Sequence, residues 1–550
     1  MLLILLSATS LSAETVLAKG QVILDYDGSG QPNADNTGLE GVLVSSLTSI
    51  TRTDADGRFT LSIDAARDTI FVIKPANTQY PVNQDQLPQF YYHHQPEGSL
   101  HTERLRYRGI DPTGPLPDEL IFPLLPTEAA ENFRVIALTD TQAQSHRELD
   151  FLRDSIVAPL VGQEADFVLN TGDIIFDELS LLPRHNRLFG ALGKPVFNVA
   201  GNHDLDFASP DRANAFETYR RLYGPTYYAF FHGEVCFIAL DNLNYFGENQ
   251  GDYPFRTRGQ GAYSGEIDPA QLRWLAQLIE HVPEDKLIVL YSHIPLRTTL
   301  NDRASNNTTN LNALLDLLAD RSQVYALAGH THTMEHLWLG PEDGWTGPGT
   351  FHHQILSAAS GAWFSGPGNP DGLPYAIQAD GTPPGYYFIE FSGNKYTPRF
   401  FPAAHHTDDQ IRIHLDTDFM SQGDWALAHR HPGEIGHSLS AAQLFETLPL
   451  YANVFDGCEQ TEVHFRVDDR PYQAMTRVFD VDPWMWLYRE FSNRGESIST
   501  RRDVNPPAKT PHLWKANFPT DLQPGPHSIT VRAKSPRGDW EATKVIEVVE

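Results

Sequence analysis

Five short segments between residues 133 and 336 decide the fold: FRVIALTDTQ (133–142), LNTGDIIFDE (169–178), NVAGNHDLD (198–206), VLYSHIPL (289–296) and ALAGHTHTMEH (326–336). Each contains a run of apolar residues, many of them β-branched, that leads into Asp, Asn or His. Runs of this kind are typical of buried parallel strands. Side chains just past the carboxyl ends of such strands converge on one crevice, so the pattern predicts a single site.

The residues expected at this crevice are rich in metal-binding side chains. They are Asp140, Asp173, Asn202, His203, His293, His330 and His332. Imidazole and carboxylate ligands suit Zn, Fe and Mn rather than Ca. Two divalent ions held about 4 Å apart can clamp a phosphate, activate water at neutral pH and stabilise a leaving oxygen. We therefore predict a hydrolytic site with two divalent metal ions.

Helical patterns alternate with these strands. Residues 147–160, 268–282 and 312–320 carry apolar residues at helical spacing, and Asp268-Pro269 is a favourable start for the second helix. Alternation of strands and helices predicts an α/β domain over residues 130–340. We expect two packed sheets with helices outside them, in a four-layer α/β/β/α sandwich.

The flanking regions have a different pattern. Residues 16–100 consist of short alternating runs separated by Gly and Asp turns, which predicts a small all-β sandwich of the transthyretin or immunoglobulin type. Residues 345–550 are rich in Gly, Pro and strand-like segments, which predicts a β-rich C-terminal domain. The chain is accordingly expected to contain three domains, since 550 residues exceed a single core.

Composition restricts the partners. The sequence has 70 acidic and 41 basic residues, and the resulting charge of −29 disfavours a nucleic-acid backbone or an anionic membrane as the main partner. No stretch is long and apolar enough to predict a membrane span. Residues 1–13 combine a short apolar run with small residues, as in a secretory signal peptide, so we expect a secreted or periplasmic location.

The order of the motifs resembles that of the calcineurin-like metallophosphoesterase superfamily. The matching positions are Asp140, Gly172-Asp173, Gly201-Asn202-His203-Asp204, His293 and Gly329-His330-Thr331-His332. The resemblance covers residues 133–332, and the complete ordered set is far more specific than any one motif. It implies a phosphoric ester hydrolase that acts on phosphomonoesters or phosphodiesters of small molecules or exposed polymers.

The resemblance also implies a role for each residue. Asp173 would bridge the two ions. Asp140 and His332 would hold the first ion, whereas Asn202, His293 and His330 would hold the second. His203 would donate a proton to the leaving group, with Asp204 orienting it, while a metal-bound hydroxide attacks the phosphorus.

The first motif departs from the family pattern. The usual Asp-x-His is here Asp140-Thr141-Gln142, and a Gln amide oxygen is a weaker ligand than imidazole. Members that resemble purple acid phosphatases place a Tyr three residues after the bridging Asp, but that position is Phe176, which cannot bind metal. The site of the first ion is therefore one strong ligand short unless Gln142 binds that ion directly or through water. We expect that ion, Mn or Fe, to exchange more easily than the second.

The flanks resemble those of a three-domain bacterial subgroup whose tail packs beside the metal cleft. Trp363 and Phe364, in SGAWFSG (360–366), are then expected to line the substrate pocket or to form a packed aromatic pair. Two other functions stay open at this point. One is hydrolysis of a pyrophosphate bond in nucleotide sugars or lipids. The other is a catalytically weak binding or adhesion protein that uses its β-domains.

Overall fold

The computed structural model describes residues 14–247, 262–369, 371–404, 410–415, 438–440, 444, 448–494 and 503–549. The predicted signal peptide, residues 1–13, lies outside these ranges. In the described part of the chain, no helix has the length and apolar character needed to cross a membrane.

The N-terminal domain is built from two β-sheets. Its strands are β1 (Thr15–Leu24), β2 (Thr37–Gly38), β3 (Leu43–Ser45), β4 (Ile50–Arg52), β5 (Arg58–Asp64), β6 (Asp68–Ile73), β7 (Thr78–Gln79), β8 (Tyr91–His94) and β9 (Leu120–Pro126). One sheet has the order β2-β1-β9-β7, with β5 also paired to β1, and the other has the order β4-β3-β6-β8. In β5, buried Phe59, Leu61 and Ile63 alternate with exposed residues, because successive side chains of a strand point to opposite faces. The domain therefore reaches residue 126, beyond the predicted end at residue 100.

The central domain contains strands and helices in alternation. Its strands are β10 (Asn132–Leu138), β11 (Phe167–Asn170), β12 (Val196–Asn198), β13 (Tyr228–His232), β14 (Val235–Ala239), β15 (Leu243–Tyr245), β16 (Tyr263–Gly265), β17 (Leu287–Tyr291), β18 (Val324–Ala328), β19 (Glu335–Leu339), β20 (Phe351–Ile355), β21 (Gly385–Ser392) and β22 (Lys395–Pro402). Its helices are α1 (His146–Leu152), α2 (Ala158–Leu160), α3 (Leu182–Gly190), α4 (Arg212–Ala215), α5 (Glu217–Tyr223), α6 (Pro269–Ile279) and α7 (Leu311–Leu318). A π-helical turn, Arg153–Val157, joins α1 to α2, and short 3₁₀ turns lie at Leu179–Leu181 and Pro341–Asp343.

Two sheets form the core of this domain. The first has the order β12-β11-β10-β21-β22, and the second has the order β13-β14-β17-β18-β20-β19. Strands β10, β11 and β12 are parallel to one another, as are β14, β17 and β18. The carboxyl ends of each parallel group therefore lie at one edge of its sheet, where the predicted site residues follow the strands. This confirms the predicted α/β class of the central domain.

Alternate residues of the first sheet pack into two different cores. Val135 and Ala137 belong to the cluster that contains β13, β14 and α6 residues, whereas Ile136 and Leu138 belong to the cluster that contains α1 and α3 residues. This division follows from the two-residue period of a strand. The predicted order of four layers stays a prediction. Helix α6 begins as predicted, with the Asp268 carboxylate accepting the Ala270 N–H at 2.7 Å.

The central sheets include strands from beyond residue 345. Strand β20 pairs with β18 in parallel, and β21 pairs with β10 in antiparallel orientation. The predicted boundary at residues 340–345 therefore cuts through both sheets. The sequence signal was ambiguous here, because a Gly- and Pro-rich stretch separates β20 from β21.

The C-terminal domain is β-rich, as predicted. Within the residues that the structure describes, its strands are β23 (Ile411–Leu415), β24 (Ser438–Ser440), β25 (Leu448–Val454), β26 (Glu462–Val467), β27 (Gln473–Ala474), β28 (Thr476–Val481), β29 (Lys509–Phe518), β30 (Gly525–Ser535) and β31 (Gly538–Val549), and helix α8 spans Pro483–Arg494. They form two sheets, β23-β25-β29-β28 and β24-β31-β30-β26-β27, which enclose one apolar cluster.

A buried polar network joins the central and C-terminal domains. His336 of β19 contacts the Asp456 carboxylate through Nε2 at 2.8 Å, and it contacts His352 of β20 through Nδ1 at 3.0 Å. Arg537 donates to the Asp456 backbone carbonyl at 2.6 Å and lies 3.3 Å from its carboxylate. Each of these groups is at least nine-tenths buried, so the pairing compensates for their removal from water.

Candidate metal centre

The predicted ligands all follow carboxyl ends of parallel strands. Asp140 follows β10, Asp173 follows β11, and Asn202 and His203 follow β12, so the first sheet supplies one half of the site. His293 follows β17, while His330 and His332 follow β18, so the second sheet supplies the other half. The loops touch directly, since the His330 N–H donates to the Asp140 carboxylate at 2.9 Å. The structure thus brings together every residue predicted to hold metal.

One half of the centre is a compact group suited to a single cation. One ligand atom each from Asp173, His293 and His330 lies within 4.8 Å of the other two. Asn202 Oδ1 is 3.2 Å from His293 Nε2, which places its amide oxygen beside the same group. The Nδ1 of His293 faces the Thr171 carbonyl at 2.9 Å, so this hydrogen bond turns Nε2 toward the other ligands.

The other half contains three buried polar atoms without hydrogen-bond partners. They are Asp140 Oδ1, Gln142 Oε1 and His332 Nε2. Asp140 Oδ1 and His332 Nε2 are 3.4 Å apart. Buried polar atoms normally have hydrogen bonds, and beyond this 3.4 Å contact the three atoms have none, so the set fits an electrophilic ion. These are the residues predicted for the first ion, and their donor types fit a divalent metal.

Gln142 combines two contacts in this half. Its Nε2 donates to Asp173 Oδ2, which leaves Oε1 as the free end of the amide. An amide held in this way can offer its oxygen to a cation while its nitrogen donates to the Asp173 carboxylate. The residue that departs from the family pattern therefore has an amide oxygen without a hydrogen bond in this half, and its binding to a metal ion stays a prediction.

We expect Gln142 to make the first ion the more weakly bound of the two. Gln142→His, which adds an imidazole, should slow the loss of this ion, whereas Gln142→Leu, which has no donor atom, should accelerate it. Metal analysis of each protein during dialysis against a chelator would measure the two losses. A ligand role for Gln142 would be contradicted if the wild type lost both ions at the same rate, or if the two variants lost the first ion at the same rate.

The backbone of the site is strained. Non-glycine residues with positive φ include Asp140, Gln142, Asp173, Asp177, His330, His332, Trp363 and Phe364, with φ between 26° and 74°. Only four other described non-glycine residues share this conformation. Such strain persists where the surroundings enforce it, and it clusters at functional sites. Here it turns the ligand side chains inward from several loops at once.

Two motif glycines permit close approach of the loops. A Cβ on Gly201 would overlap the Asp173 carboxylate, and a Cβ on Gly329 would overlap Thr139 and the Asp140 carboxylate. Any larger residue would therefore push a ligand out of place. This explains physically why the GNHD and GHTH segments begin with glycine.

The charges favour a cation in the centre. Burial lowers the pKa of His293, but the adjoining Asp173 carboxylate outweighs burial and raises the pKa to about 9. Burial and the neighbouring His293 lower the pKa of His330 to about 3, which keeps a lone pair on that ring. The buried carboxylates of Asp140 and Asp173 have pKa values below their usual range despite burial, because histidines adjoin them.

His203 lies beside the centre but is held differently from the ligands. Its backbone N–H donates to Asp173 Oδ1 at 2.8 Å, while its ring Nδ1 pairs with Asp177 Oδ1 at 2.6 Å. Phe176 stacks on the ring, with centroids 4.0 Å apart. Burial lowers the pKa of His203, but the carboxylates of Asp173 and Asp177 raise it above its usual value overall.

Asp204 does not orient His203, contrary to the prediction. Its buried carboxylate instead accepts three backbone N–H groups, from Gly201 at 2.8 Å and from Ile174 and Ile175 at 3.1 Å. It therefore ties the loop after β11 to the loop after β12. Asp177 takes the orienting position, and its place four residues after Asp173 was the sequence signal that could have indicated it.

The segment after β20 encloses the first-ion half. The Gly361 carbonyl pairs with His332 Nδ1, and the Ser360 N–H donates to the Asp140 carbonyl at 3.0 Å. Trp363 stacks on His332, with centroids 4.0 Å apart. The structure thus places Trp363 at the centre, and its contact with substrate stays a prediction.

Phe364 does not fit the predicted role in the pocket. Only 3% of its surface is exposed, and its ring packs near Phe151 with the centroids 6.1 Å apart. It therefore belongs to the apolar core that contains α1 and α3 residues.

Three family models match the chain. The model described as "N terminal of Calcineurin-like phosphoesterase" matches residues 27–107, and "Calcineurin-like phosphoesterase" matches residues 133–334. The model described as "C terminal of Calcineurin-like phosphoesterase" matches residues 353–539. No curated protein matches the sequence.

Solved structures of phosphatases are also similar to this chain. A dimetal phosphatase from Danio rerio has 16% identity and a TM-score of 0.34, and the match covers 49% of this chain and 95% of that one. The purple acid phosphatase PPD1 from seeds of yellow lupin (Lupinus luteus) has 10% identity and a TM-score of 0.35. That match covers 67% of this chain and 69% of the lupin protein.

Proposed function

Since this chain belongs to the calcineurin-like phosphoesterase family, a family of phosphoric ester hydrolases, we propose that it hydrolyses phosphomonoesters or phosphodiesters at a centre for two divalent ions. Asp173 lies between the two halves of this centre. Asp140, Gln142 and His332 would hold one ion, and Asn202, His293 and His330 would hold the other. His203 would be the proton donor.

The observation that carries the proposal is the set of three unpaired buried atoms on Asp140, Gln142 and His332. They adjoin a second, compact group of ligand atoms from Asp173, His293 and His330. Two divalent ions, when bound, supply Lewis acids that neutralise the phosphate oxygens and activate water. The mixed oxygen and nitrogen donors suit Mn, Fe or Zn.

His203 supplies the proton in this scheme. When the bond between phosphorus and the leaving oxygen breaks, the electron pair stays on that oxygen, which takes a proton from the ring. Because Asp177 engages Nδ1, the proton that is transferred is the one on Nε2. Asp177 fixes the tautomer and balances the charge of the protonated ring.

The substrate class follows from charge and geometry. The net charge of −29 disfavours the long anionic backbone of a nucleic acid. Small phosphate esters, which two metal ions can bind, are therefore the favoured substrates. Trp363, stacked on His332, would contact the part of the substrate nearest the first ion. The proposal that the enzyme acts outside the cytoplasm rests on the signal-like residues 1–13.

A panel of phosphate esters tests this proposal. The protein is first stripped with a chelator and then supplied with Mn²⁺, Fe²⁺ or Zn²⁺ before assay on p-nitrophenyl phosphate, bis-p-nitrophenyl phosphate and glycerol phosphate. We expect no turnover in the stripped protein and recovery with at least one metal. The proposal fails if no ester is hydrolysed in a metal-dependent way.

A further inference from the structure

A segment of the N-terminal region reaches the loops that hold His203. This docking segment, residues 95–113, leaves β8 and runs along the central domain before the chain returns to β9. Gln95 Nε2 donates to Glu217 Oε2 of α5 at 2.8 Å, and the Ser99 hydroxyl donates to the same oxygen. Glu217 also pairs with Arg220 at 2.6 Å and with Arg67 of the N-terminal sandwich at 2.7 Å. A buried carboxylate thus anchors the start of the segment.

The next part of the segment lies along the loops of the site. The Arg108 carbonyl accepts from Thr218 Oγ1 at 3.1 Å and from Arg221 Nε at 3.2 Å, which fixes the backbone against α5. The Tyr107 N–H donates to Asp206 Oδ2 at 2.9 Å. Asp206 is 1% exposed and lies in the same loop as His203. The backbone at Tyr107 is therefore fixed both by α5 and by the loop that carries His203.

The Tyr107 side chain then meets the residue that orients His203. Its hydroxyl lies 3.0 Å from the Asp177 carbonyl and 3.2 Å from Glu178 Oε1, and its single proton is directed at these two acceptors, of which the Asp177 carbonyl is the nearer. Arg106 reinforces the contact through an ion pair with Glu178 at 2.7 Å. Asp177 has φ of 64°, a conformation that L-residues adopt only when their surroundings enforce it.

We propose that Tyr107 is a positioning residue for proton donation, and that the N-terminal region thereby completes the catalytic site. The hydrogen bond from Tyr107 holds the strained loop at Asp177, and Asp177 in turn holds the His203 ring at 2.6 Å. Without the Tyr107 hydroxyl, the loop relaxes and the ring loses its fixed direction. The inference rests on the proposed function, because it concerns the donor in that reaction.

Tyr107→Phe tests the proposal because it removes only the hydroxyl. The readout is kcat on two metal-dependent substrates, glycerol phosphate with a poor leaving group and p-nitrophenyl phosphate with a good one. Only the poor leaving group depends strongly on a donated proton. We expect a loss of about tenfold on glycerol phosphate, typical of residues that orient functional groups. We expect a much smaller loss on p-nitrophenyl phosphate and unchanged metal content.

A matched control and a second variant make the test decisive. Tyr80→Phe removes a hydroxyl that donates to the Val72 carbonyl at 2.7 Å inside the N-terminal sandwich, so both rates should stay near wild type. Asp177→Asn should show the same selective loss as Tyr107→Phe, but larger. Equal losses on both substrates in Tyr107→Phe, or the same selective loss in Tyr80→Phe, would overturn the proposal. A wild type without metal-dependent turnover would instead overturn the proposed function.

Discussion

Asp173→Asn is expected to lower metal-dependent turnover more than any other single substitution in the centre. The carboxylate lies between the two halves of the site, since it contacts Gln142 on one side and His293 on the other. Its loss removes negative charge from both ions at once. Substitution of groups that merely orient a metal ligand typically costs 10–100-fold, so we expect a loss above about 100-fold here.

Metal content and activity would be measured together for this variant. The expected result is fewer than two ions per chain and near-absent turnover with a retained fold. Asp68→Asn is the matched control, because Asp68 is also a buried carboxylate that accepts backbone N–H groups, from Leu47 at 3.2 Å and Thr69 at 2.8 Å. Full metal content with normal turnover in Asp173→Asn would exclude a bridging role.

His203→Ala is expected to have the second large effect. A well-placed proton donor contributes about 10²–10⁴-fold to the rate, and the loss should be greatest for substrates with poor leaving groups. Metal content should stay unchanged, because the ring pairs with Asp177 rather than with the ligand atoms. The measurements are kcat on glycerol phosphate and p-nitrophenyl phosphate, with metal analysis of the same samples.

The control for this variant is His281→Ala. His281 follows α6 and contacts Arg52 at 3.3 Å, so its loss should leave turnover unchanged. If His203→Ala loses an ion, then His203 is a ligand and not a donor. If it keeps normal turnover of glycerol phosphate, then another group protonates the leaving oxygen.

The meeting of the candidate ligands at one place was predictable because their sequence signals are local. Each lies within a few residues of the end of an apolar run, as His293 lies two residues after β17 ends at Tyr291. The carboxyl ends of parallel strands lie at one edge of a sheet. Residues that follow different strands in the sequence therefore lie close together in the structure. The all-β class of the N-terminal domain could also be predicted, because apolar and polar residues alternate along the sequence of β5.

Roles that depend on side-chain direction were less predictable. Asp204 is adjacent to His203 in sequence, yet it accepts the N–H groups of Gly201, Ile174 and Ile175. Asp177 reaches the ring because its left-handed backbone turns the carboxylate toward it. Trp363 and Phe364 likewise diverge, one toward His332 and the other into the core.

The sequence by itself determined the family, the domain classes and the set of candidate ligands, since apolar runs and the polar residues after them are properties of short segments. Only the tertiary structure decided that Gly361 and Trp363 contact His332, that Gln142 offers an unpaired oxygen, and that Tyr107 supports Asp177. Such contacts join residues far apart in the chain, as Tyr107 and Asp177 are 70 positions apart. They leave no periodic signal, because they arise from the packing of whole domains rather than from the preferences of any one segment.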